Sequence, residues 1–143
     1  MRVSDKMTRN VACVQTTATL TEAAQMMQKH NVGSVPVCDA ASTVVGMLTD
    51  RDIVVRTIAW GRNPQTTPVT DVMTGGVATV TPEMDMEDVA RIMSDKQIRR
   101  VPVVDKGKLV GILALGDIAT DYRYNIEASE ALSDISRPSR PVR

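Results

Sequence analysis

"GMLTDRD" spans residues 46–52, and "GILALGD" follows at residues 111–117. Both stretches place a glycine in an apolar run and end in an aspartate where a helix is expected to begin. The first carries Thr49 three residues before its aspartate, whereas the second carries Ala114 at that position. The recurrence of this pattern indicates a chain that is built from two copies of one unit.

The residues around these stretches repeat as well. Residues 3–39 align with residues 69–105 without a gap, and 13 of the 37 positions are identical. One deleted residue in the next loop then aligns residues 44–56 with residues 109–121. The segment between the copies contains Gly and Pro residues that end a helix and form a linker. We therefore expect a first repeat at 1–62, a linker at 63–68, a second repeat at 69–123, and a short helix with a mobile tail at 124–143.

Each copy predicts the same order of elements. An amphipathic helix comes first: the apolar residues are Leu20, Ala23, Ala24 and Met27 in the first copy and Met86, Val89, Ala90 and Met93 in the second. Thr19 with Glu22 forms a capping box, and Asp85 occupies the cap position of the second copy. Two short apolar runs then form a hairpin, and a second helix follows at about 50–60 or 116–123.

The fold class follows from this order of elements. One β-α-β-β-α unit is too small to bury its own sheet face well, so we predict an α/β protein in which two units pack sheet to sheet with pseudo-two-fold symmetry. With no Phe and nine Met, the core must be filled by aliphatic side chains and methionine.

The composition excludes several classes of function. Lys and Arg number 17, as do Asp and Glu, so the formal net charge is zero. No overall positive field attracts nucleic acid or an anionic membrane. The apolar runs are far shorter than the roughly twenty residues that a bilayer requires, and the first residues lack the apolar segment of a signal peptide. We expect a cytoplasmic protein that binds neither nucleic acid nor membrane.

Reactive groups are scarce in the sequence. The single histidine, His30, has no second histidine or CxxC motif with which to form a metal site. The two cysteines, Cys13 and Cys38, fall in apolar stretches and are expected to be reduced core thiols. Glycine-rich phosphate-binding motifs and a nucleophile with a matched base are also missing from the sequence. The pattern predicts a protein that binds rather than transforms, with no catalytic residue and no metal.

The aspartates at the two helix starts have a structural explanation and a functional one. Thr49 in front of Asp52 has the form of an N-cap with an acidic residue at the third helical position. In the second copy Asp117 is kept, although its expected capping partner is replaced by Ala114 and cannot reciprocate. This favours a role beyond capping, because a carboxylate accepts strong hydrogen bonds from both hydroxyls of a ribose.

The duplicated unit resembles the cystathionine β-synthase (CBS) domain. The resemblance rests on "VPV" in the first hairpin strand, "GML" or "GIL" in the second, and an aspartate at the start of the next helix; it covers about residues 3–123. It implies a stand-alone tandem pair of CBS domains that binds an adenosine ligand in the cleft between the repeats. It also implies that the aspartate binds the ribose, and that a Ser or Thr three residues earlier helps to hold the sugar or phosphate.

The resemblance assigns two ligand sites, each with one wall from each copy. The first is expected to contain Thr49, Arg51, Asp52, Ala78, Ile98, Arg99 and Arg100. The second is expected to contain Ala12, Val32, Gly33, Ser34, Ala114, Gly116 and Asp117. Three arginines in the first site can bind phosphate through paired hydrogen bonds, whereas the second site has no cation. We therefore expect the first site to bind a phosphorylated adenosine compound better.

Together these features predict a regulatory, signal-transducing module that binds AMP, ADP or ATP and acts on an unknown protein target. One alternative is another adenosyl ligand: S-adenosylmethionine, NAD or coenzyme A. The other is a ligand-free interaction protein whose dimer surface is its function. The helix after "TDRD" carries more apolar residues than one sheet contact can hide: Ile53, Val54, Val55, Ile58, Ala59 and Trp60. A partner chain explains this surplus, so we expect a homodimer.

Overall fold

The chain folds into two units, each built around one repeat. The computed structural model describes residues 1–138, apart from the side chain of Tyr122. The repeat-1 unit comprises Asn10–Val77 and Lys106–Leu109, and the repeat-2 unit comprises Met1–Arg9, Ala78–Asp105 and the chain from Val110 onward. Both units combine strands with helices, so the predicted α/β class with two repeated units is confirmed.

The elements follow the predicted order in both repeats. The strands are β1 (Thr8–Arg9), β2 (Val14–Gln15), β3 (Ser34–Cys38), β4 (Val44–Thr49), β5 (Thr74–Gly75), β6 (Arg100–Asp105) and β7 (Lys108–Ala114). The α-helices are α1 (Leu20–His30), α2 (Asp50–Ile53), α3 (Met86–Lys96), α4 (Leu115–Ala119) and α5 (Asn125–Ile135). Helix α2 continues as a π-helical turn at Val54–Ile58, and 3-10 turns lie at Val3–Asp5, Val69–Asp71 and Tyr122–Tyr124.

Each unit has its own sheet. In the repeat-1 unit the strand order is β2-β3-β4-β5, with β2 parallel to β3 and the other pairs antiparallel. In the repeat-2 unit the order is β1-β7-β6, and Val80 adds a parallel bridge to Val103 at the position that β2 occupies in the first copy. The hairpins β3-β4 and β6-β7 are the two that the sequence predicted.

The segments that lead into the two repeats are exchanged. Strand β1 precedes the first repeat but pairs with β7 in the repeat-2 unit, with Arg9 opposite Gly111. Strand β5 leads into the second repeat but pairs with β4 in the repeat-1 unit, with Gly75 opposite Gly46. Each unit therefore takes its leading segment from the other repeat, whereas the predicted boundaries follow the chain.

The first helix of each repeat begins after its predicted cap residue, but among the described residues the Glu22 carboxylate accepts only from the Thr19 hydroxyl and not from Thr19 N–H, so the predicted capping box is half formed. Thr19 accepts a hydrogen bond from the Glu22 backbone N–H at 3.3 Å, and Asp85 accepts one from Glu87 N–H at 2.9 Å. The predicted apolar faces lie buried against the sheets, except that Ala24 lies at the edge of its stripe and is exposed. Among the largest fully buried side chains are Leu20, Leu48, Met86, Met93, Leu113 and Ile118, which confirms the core of aliphatic residues and methionine.

The chain after the second repeat forms a packed helix. Helix α5 contacts α3 and α4, and it buries Ala128 and Ala131. This confirms the helix that the sequence predicted there. The prediction of a mobile end concerns residues 139–143, which lie outside the described residues.

Candidate functional site

The start of α2 is a reciprocal capping box. The Thr49 hydroxyl oxygen accepts a hydrogen bond from Asp52 N–H at 3.0 Å, and Asp52 Oδ2 accepts one from Thr49 N–H at 3.0 Å. Two backbone donors that would otherwise lack partners are satisfied in this way. The structural explanation for Thr49 and Asp52 is therefore confirmed, and it uses only one oxygen of the carboxylate.

The second oxygen of Asp52 faces an arginine. Arg56 Nε lies 3.8 Å from Asp52 Oδ1, and Arg56 also donates a hydrogen bond to the Val72 carbonyl at 3.1 Å. The Asp52 side chain is only 14% exposed, whereas that of Arg56 is 45% exposed. A contact of 3.8 Å leaves Oδ1 without a hydrogen bond in the part of the chain that the structure describes, so this oxygen can accept one from a ligand.

Asp117 has the equivalent position in the first turn of α4 and forms one of the two hydrogen bonds of the capping box. Its Oδ2 accepts a hydrogen bond from Ala114 N–H at 2.8 Å. As predicted, Ala114 has no hydroxyl with which to reciprocate, but its backbone N–H still gives Asp117 a capping role, so capping alone is enough to account for this aspartate. Within residues 1–138 no other hydrogen bond or ion pair of the Asp117 carboxylate is seen, so its Oδ1 is also open.

In each unit, the residue before the "VPV" strand is hydrogen-bonded to the first residue of the helix that carries the aspartate, α2 or α4. Asp50 N–H donates to the Gly33 carbonyl at 2.9 Å, and in the other unit Leu115 N–H donates to the Arg99 carbonyl at 2.8 Å. Ser34 lies opposite Thr49 in the β3-β4 ladder, and its buried hydroxyl oxygen has no hydrogen-bond partner in residues 1–138.

The predicted site residues are divided between the units accordingly. The repeat-1 unit holds Thr49, Arg51 and Asp52 together with Ala12, Val32, Gly33 and Ser34. The repeat-2 unit holds Ala114, Gly116 and Asp117 together with Ala78, Ile98, Arg99 and Arg100. Within a unit, Gly33 thus neighbours the Asp52 helix, and Arg99 neighbours the Asp117 helix. The assignment of Arg99 and Arg100 to the Asp52 site stays a prediction.

The candidate phosphate ligands are exposed. Arg51, Arg99 and Arg100 are all solvent-accessible, and none forms an ion pair with another described residue. A guanidinium group without an acidic partner can bind a phosphate without first breaking an ion pair. Both units therefore carry an open carboxylate oxygen together with accessible arginine.

The two repeats differ one turn after the aspartate. The residue equivalent to Arg56 is Asp121, which is largely buried and accepts hydrogen bonds from the Arg123 guanidinium at 2.6 and 3.0 Å. These hydrogen bonds lower the pKa of Asp121 to about 2. The Asp52 carboxylate thus faces a cation at this position, whereas the second repeat has an acid that is already paired.

A pocket away from both aspartates lies between α3 and α5. Its volume is about 210 Å³, and its lining residues are Glu87, Ala90, Arg91, Ser94, Ile126, Glu127 and Glu130. It contains none of the residues that the sequence assigned to a ligand.

The described residues do not meet the requirements of a metal site or of a membrane-spanning helix. In residues 1–138 no group of three or more His, Cys, Asp or Glu side chains is placed so that it could hold a metal ion. Nor does that part of the chain contain a helix with the length and apolar character needed to cross a bilayer.

The repeated geometry has a match among known sequence families. The sequence profile described as "CBS domain" matches residues 3–57 and 69–123. The chain belongs to the CBS domain family. The resemblance to a tandem CBS pair, which was seen in the sequence, is thereby confirmed.

Several proteins are similar to this CBS pair. The CBS domain-containing protein YhcV of Bacillus subtilis is 48% identical over 134 residues, which cover 94% of each chain. Hypoxic response protein 1 of Mycobacterium tuberculosis is 38% identical over 80% of each chain. A crystal structure of Hypoxic Response Protein I with two coordinated zinc ions has a TM-score of 0.79 at 37% identity, covering 84% of this chain and 98% of that one.

A ligand complex is also among the similar structures. The CBS domain pair of protein MJ0100, solved with 5′-methylthioadenosine and S-adenosyl-L-methionine, has a TM-score of 0.75 at 29% identity. The match covers 84% of this chain and 94% of that chain.

Sequence reasoning missed Arg56 as a neighbour of the candidate site. The signal was present, because Arg56 lies four residues after Asp52 and this spacing places two side chains on one helix face. Its second contact, with the Val72 carbonyl, joins residues far apart in the chain and had no sequence signal.

Proposed function

We propose that this CBS pair is a non-catalytic regulatory module that binds an adenine nucleotide, AMP, ADP or ATP, through Asp52 and Asp117. The supporting observation is that only one oxygen of each carboxylate has a hydrogen-bond partner. Oδ2 caps the helix, while Oδ1 accepts no hydrogen bond from the described residues. A ribose diol offers two O–H donors, and hydrogen bonds to an ionised acceptor are the strong ones. The adenosine compounds bound to the MJ0100 pair support the same ligand class.

The charges near each aspartate favour a phosphorylated ligand. Thr49 caps the helical segment that carries Arg51, Asp52 and Arg56, while Arg99 and Arg100 lie in the unit that carries Asp117. We propose that the Asp52 site binds more tightly, because Thr49 adds a hydroxyl that Ala114 lacks. Occupancy is then read by a partner protein, which requires the ligand to bind two states of the module with different affinities.

Two alternatives remain distinct from this proposal. S-adenosylmethionine, NAD and coenzyme A also carry an adenosine whose sugar could meet the same carboxylate. A ligand-free interaction module would instead use only its exposed apolar surface. The cytoplasmic location expected from the sequence also stays a prediction.

A thermal-shift panel of AMP, ADP, ATP, S-adenosylmethionine, NAD and coenzyme A tests the function. A ligand at one hundred times its Kd stabilises the folded state by about 2.7 kcal/mol, which corresponds to a rise in Tm of about 5 to 10 °C for a chain of this size. We expect the largest shift from an adenine nucleotide. GMP serves as the control, and an unchanged Tm across the whole panel would favour the ligand-free module.

We further propose that the exposed apolar residues after α2 bind a second copy of the chain. Val54, Val55, Ile58 and Trp60 are 54%, 42%, 61% and 78% exposed in the single chain. Light scattering of the wild type is expected to give about twice the chain mass of 15.5 kDa. Ile58→Glu is expected to give monomer, because it places a charge in the apolar contact. Ile126→Glu, at an isoleucine 71% exposed on α5, is the matched control and should stay dimeric.

A further inference from the structure

The two cysteines lie on neighbouring strands of the repeat-1 unit. Cys38 ends β3 and is fully buried, while Cys13 directly precedes β2 and is partly exposed. Strand β2 runs parallel to β3, with Val14 opposite Val37, and Thr16 N–H donates to the Cys38 carbonyl at 3.1 Å. The backbone pairing therefore begins at the residue after Cys13 and reaches Cys38.

The two thiols are neighbours across the strand pair. In the β2-β3 register Cys13 lies two residues before Gln15, the residue opposite Cys38, so an extended chain places both cysteine side chains on the same face of the sheet. The Cys13 thiol also contributes to the raised pKa of Cys38. No feature of the sequence pairs them, because they are far apart in the chain and have no CxxC spacing. A disulfide requires Cα atoms about 4.4 to 6.8 Å apart, so the segment that precedes β2 must shift toward Cys38 for the bond to close.

We propose that Cys13 and Cys38 are a redox modification site, which closes to an intramolecular disulfide when the reduced protein meets hydrogen peroxide. The proposal is independent of nucleotide binding. It departs from the expectation of inert core thiols, because one of the two is accessible and the other lies beside it.

The chemistry takes two steps. The Cys13 thiolate attacks one oxygen of hydrogen peroxide, the O–O bond breaks, and Cys13 becomes a sulfenic acid while hydroxide leaves. The Cys38 sulfur then attacks the Cys13 sulfur, the S–O bond breaks, and the leaving hydroxide takes the Cys38 proton to form water. Overall two thiols and one peroxide give one disulfide and two waters, and a dithiol reductant reverses the change.

The roles of the two cysteines follow from their surroundings. Burial, with a further contribution from the neighbouring Cys13, raises the pKa of Cys38 to about 12. A buried thiol that stays protonated is a poor first nucleophile, whereas the partly exposed Cys13 can meet peroxide from solvent. Cys13 is therefore the thiol that is oxidised first, and Cys38 is the one that resolves it.

The disulfide would anchor the point at which the chain enters the repeat-1 unit. Arg9 is the last residue of the leading segment that belongs to the repeat-2 unit, and Cys13 follows it by four positions. Closing the loop from Cys13 to Cys38 reduces the freedom of the unfolded chain. The expected readout is a rise in Tm of about 5 to 10 °C in the oxidised protein.

The test uses the reduced full chain with a small excess of hydrogen peroxide. Intact mass spectrometry is expected to show the loss of two hydrogens, and a non-reducing peptide map should show Cys13 joined to Cys38. Dithiothreitol should restore both the mass and the Tm. A product with oxygen atoms added to Cys13 and no cross-linked peptide would overturn the proposal, as would a disulfide between two chains.

Two variants check the order of the steps. Cys38→Ser is expected to stop at oxygenated Cys13, and Cys13→Ser should leave Cys38 unmodified because it is buried. Oxidation of Cys38 in Cys13→Ser at the wild-type rate would contradict the assigned roles. If Cys38→Ser does not fold, the peptide map of the wild type still decides whether the disulfide forms.

Discussion

Asp52→Asn is expected to weaken AMP binding by about 10- to 150-fold, equivalent to about 1.5 to 3 kcal/mol, the usual contribution of a hydrogen bond to a charged group. Asparagine keeps the size of the side chain and an oxygen that can accept from Thr49 N–H, so the helix stays capped. The atom that replaces Oδ1, however, is an amide nitrogen, which cannot accept a hydrogen bond from the ribose diol as the charged oxygen can. Isothermal titration of AMP into the variant and the wild type measures the difference.

The ligand can be varied together with the protein. Removing the 2′- or 3′-hydroxyl from AMP should weaken binding to the wild type, because one donor to the carboxylate is lost. In Asp52→Asn the same removal should have little further effect, since the two changes act on one interaction. Equal losses in wild type and variant would mean that Asp52 does not bind the sugar.

A stability control separates binding from capping. Asp52→Ala removes the acceptor for Thr49 N–H and is expected to lower the free energy of unfolding by about 1 kcal/mol. Asp52→Asn should change it much less, while both variants lose nucleotide affinity. The ion pair with the half-exposed Arg56 contributes little to this comparison.

The matched variant in the other repeat ranks the two sites. Asp117→Asn removes the same charge from a helix start that lacks the threonine hydroxyl. We expect a smaller loss of affinity than for Asp52→Asn. If Asp117→Asn proves the more damaging change, the arginines that share its unit, Arg99 and Arg100, outweigh Thr49, and the predicted order of the sites is wrong.

Local patterns allowed much of the fold to be predicted. The duplication, the hairpins and the buried helix faces follow from periods of two and 3.6 residues, which are set by neighbours in the chain. The Thr49 and Asp52 capping box is equally local, because its partners are three residues apart. Asp117 was harder to interpret, because the backbone N–H that it binds is present whatever the residue at position 114.

The exchange of leading segments could not be predicted in this way. Residues 3–8, "VSDKMT", and residues 69–74, "VTDVMT", are identical at four of six positions, so their local sequence does not indicate which repeat each should pair with. The choice depends on strand pairing between distant residues, which no periodicity records. The same holds for the contact of Arg56 with Val72 and for the proximity of Cys13 to Cys38.

Gly46→Ala is expected to lower the free energy of unfolding by about 2 to 3 kcal/mol, because it places a methyl group where β5 pairs closely with β4. A Cβ at Gly46 would lie 2.7 Å from the Thr74 carbonyl oxygen and 2.7 Å from Met73 Sδ. The methionine can move, but the carbonyl belongs to the backbone of β5 and cannot withdraw without weakening that pairing. Urea denaturation measures the loss.

The equivalent glycine and its neighbour supply the comparison. Gly111→Ala should destabilise in the same way, since its Cβ would lie 2.7 Å from the Thr8 carbonyl oxygen in β1. Gly75 lies on β5 directly opposite Gly46, but a Cβ at this position would meet only the Val45 carbonyl oxygen at 3.8 Å, which is an ordinary contact. Gly75→Ala should change stability by no more than about 0.5 kcal/mol. If Gly46→Ala is no more harmful than Gly75→Ala, then β5 does not need the close approach to β4, and the leading segments are held by their buried valines, Val3 and Val69, instead.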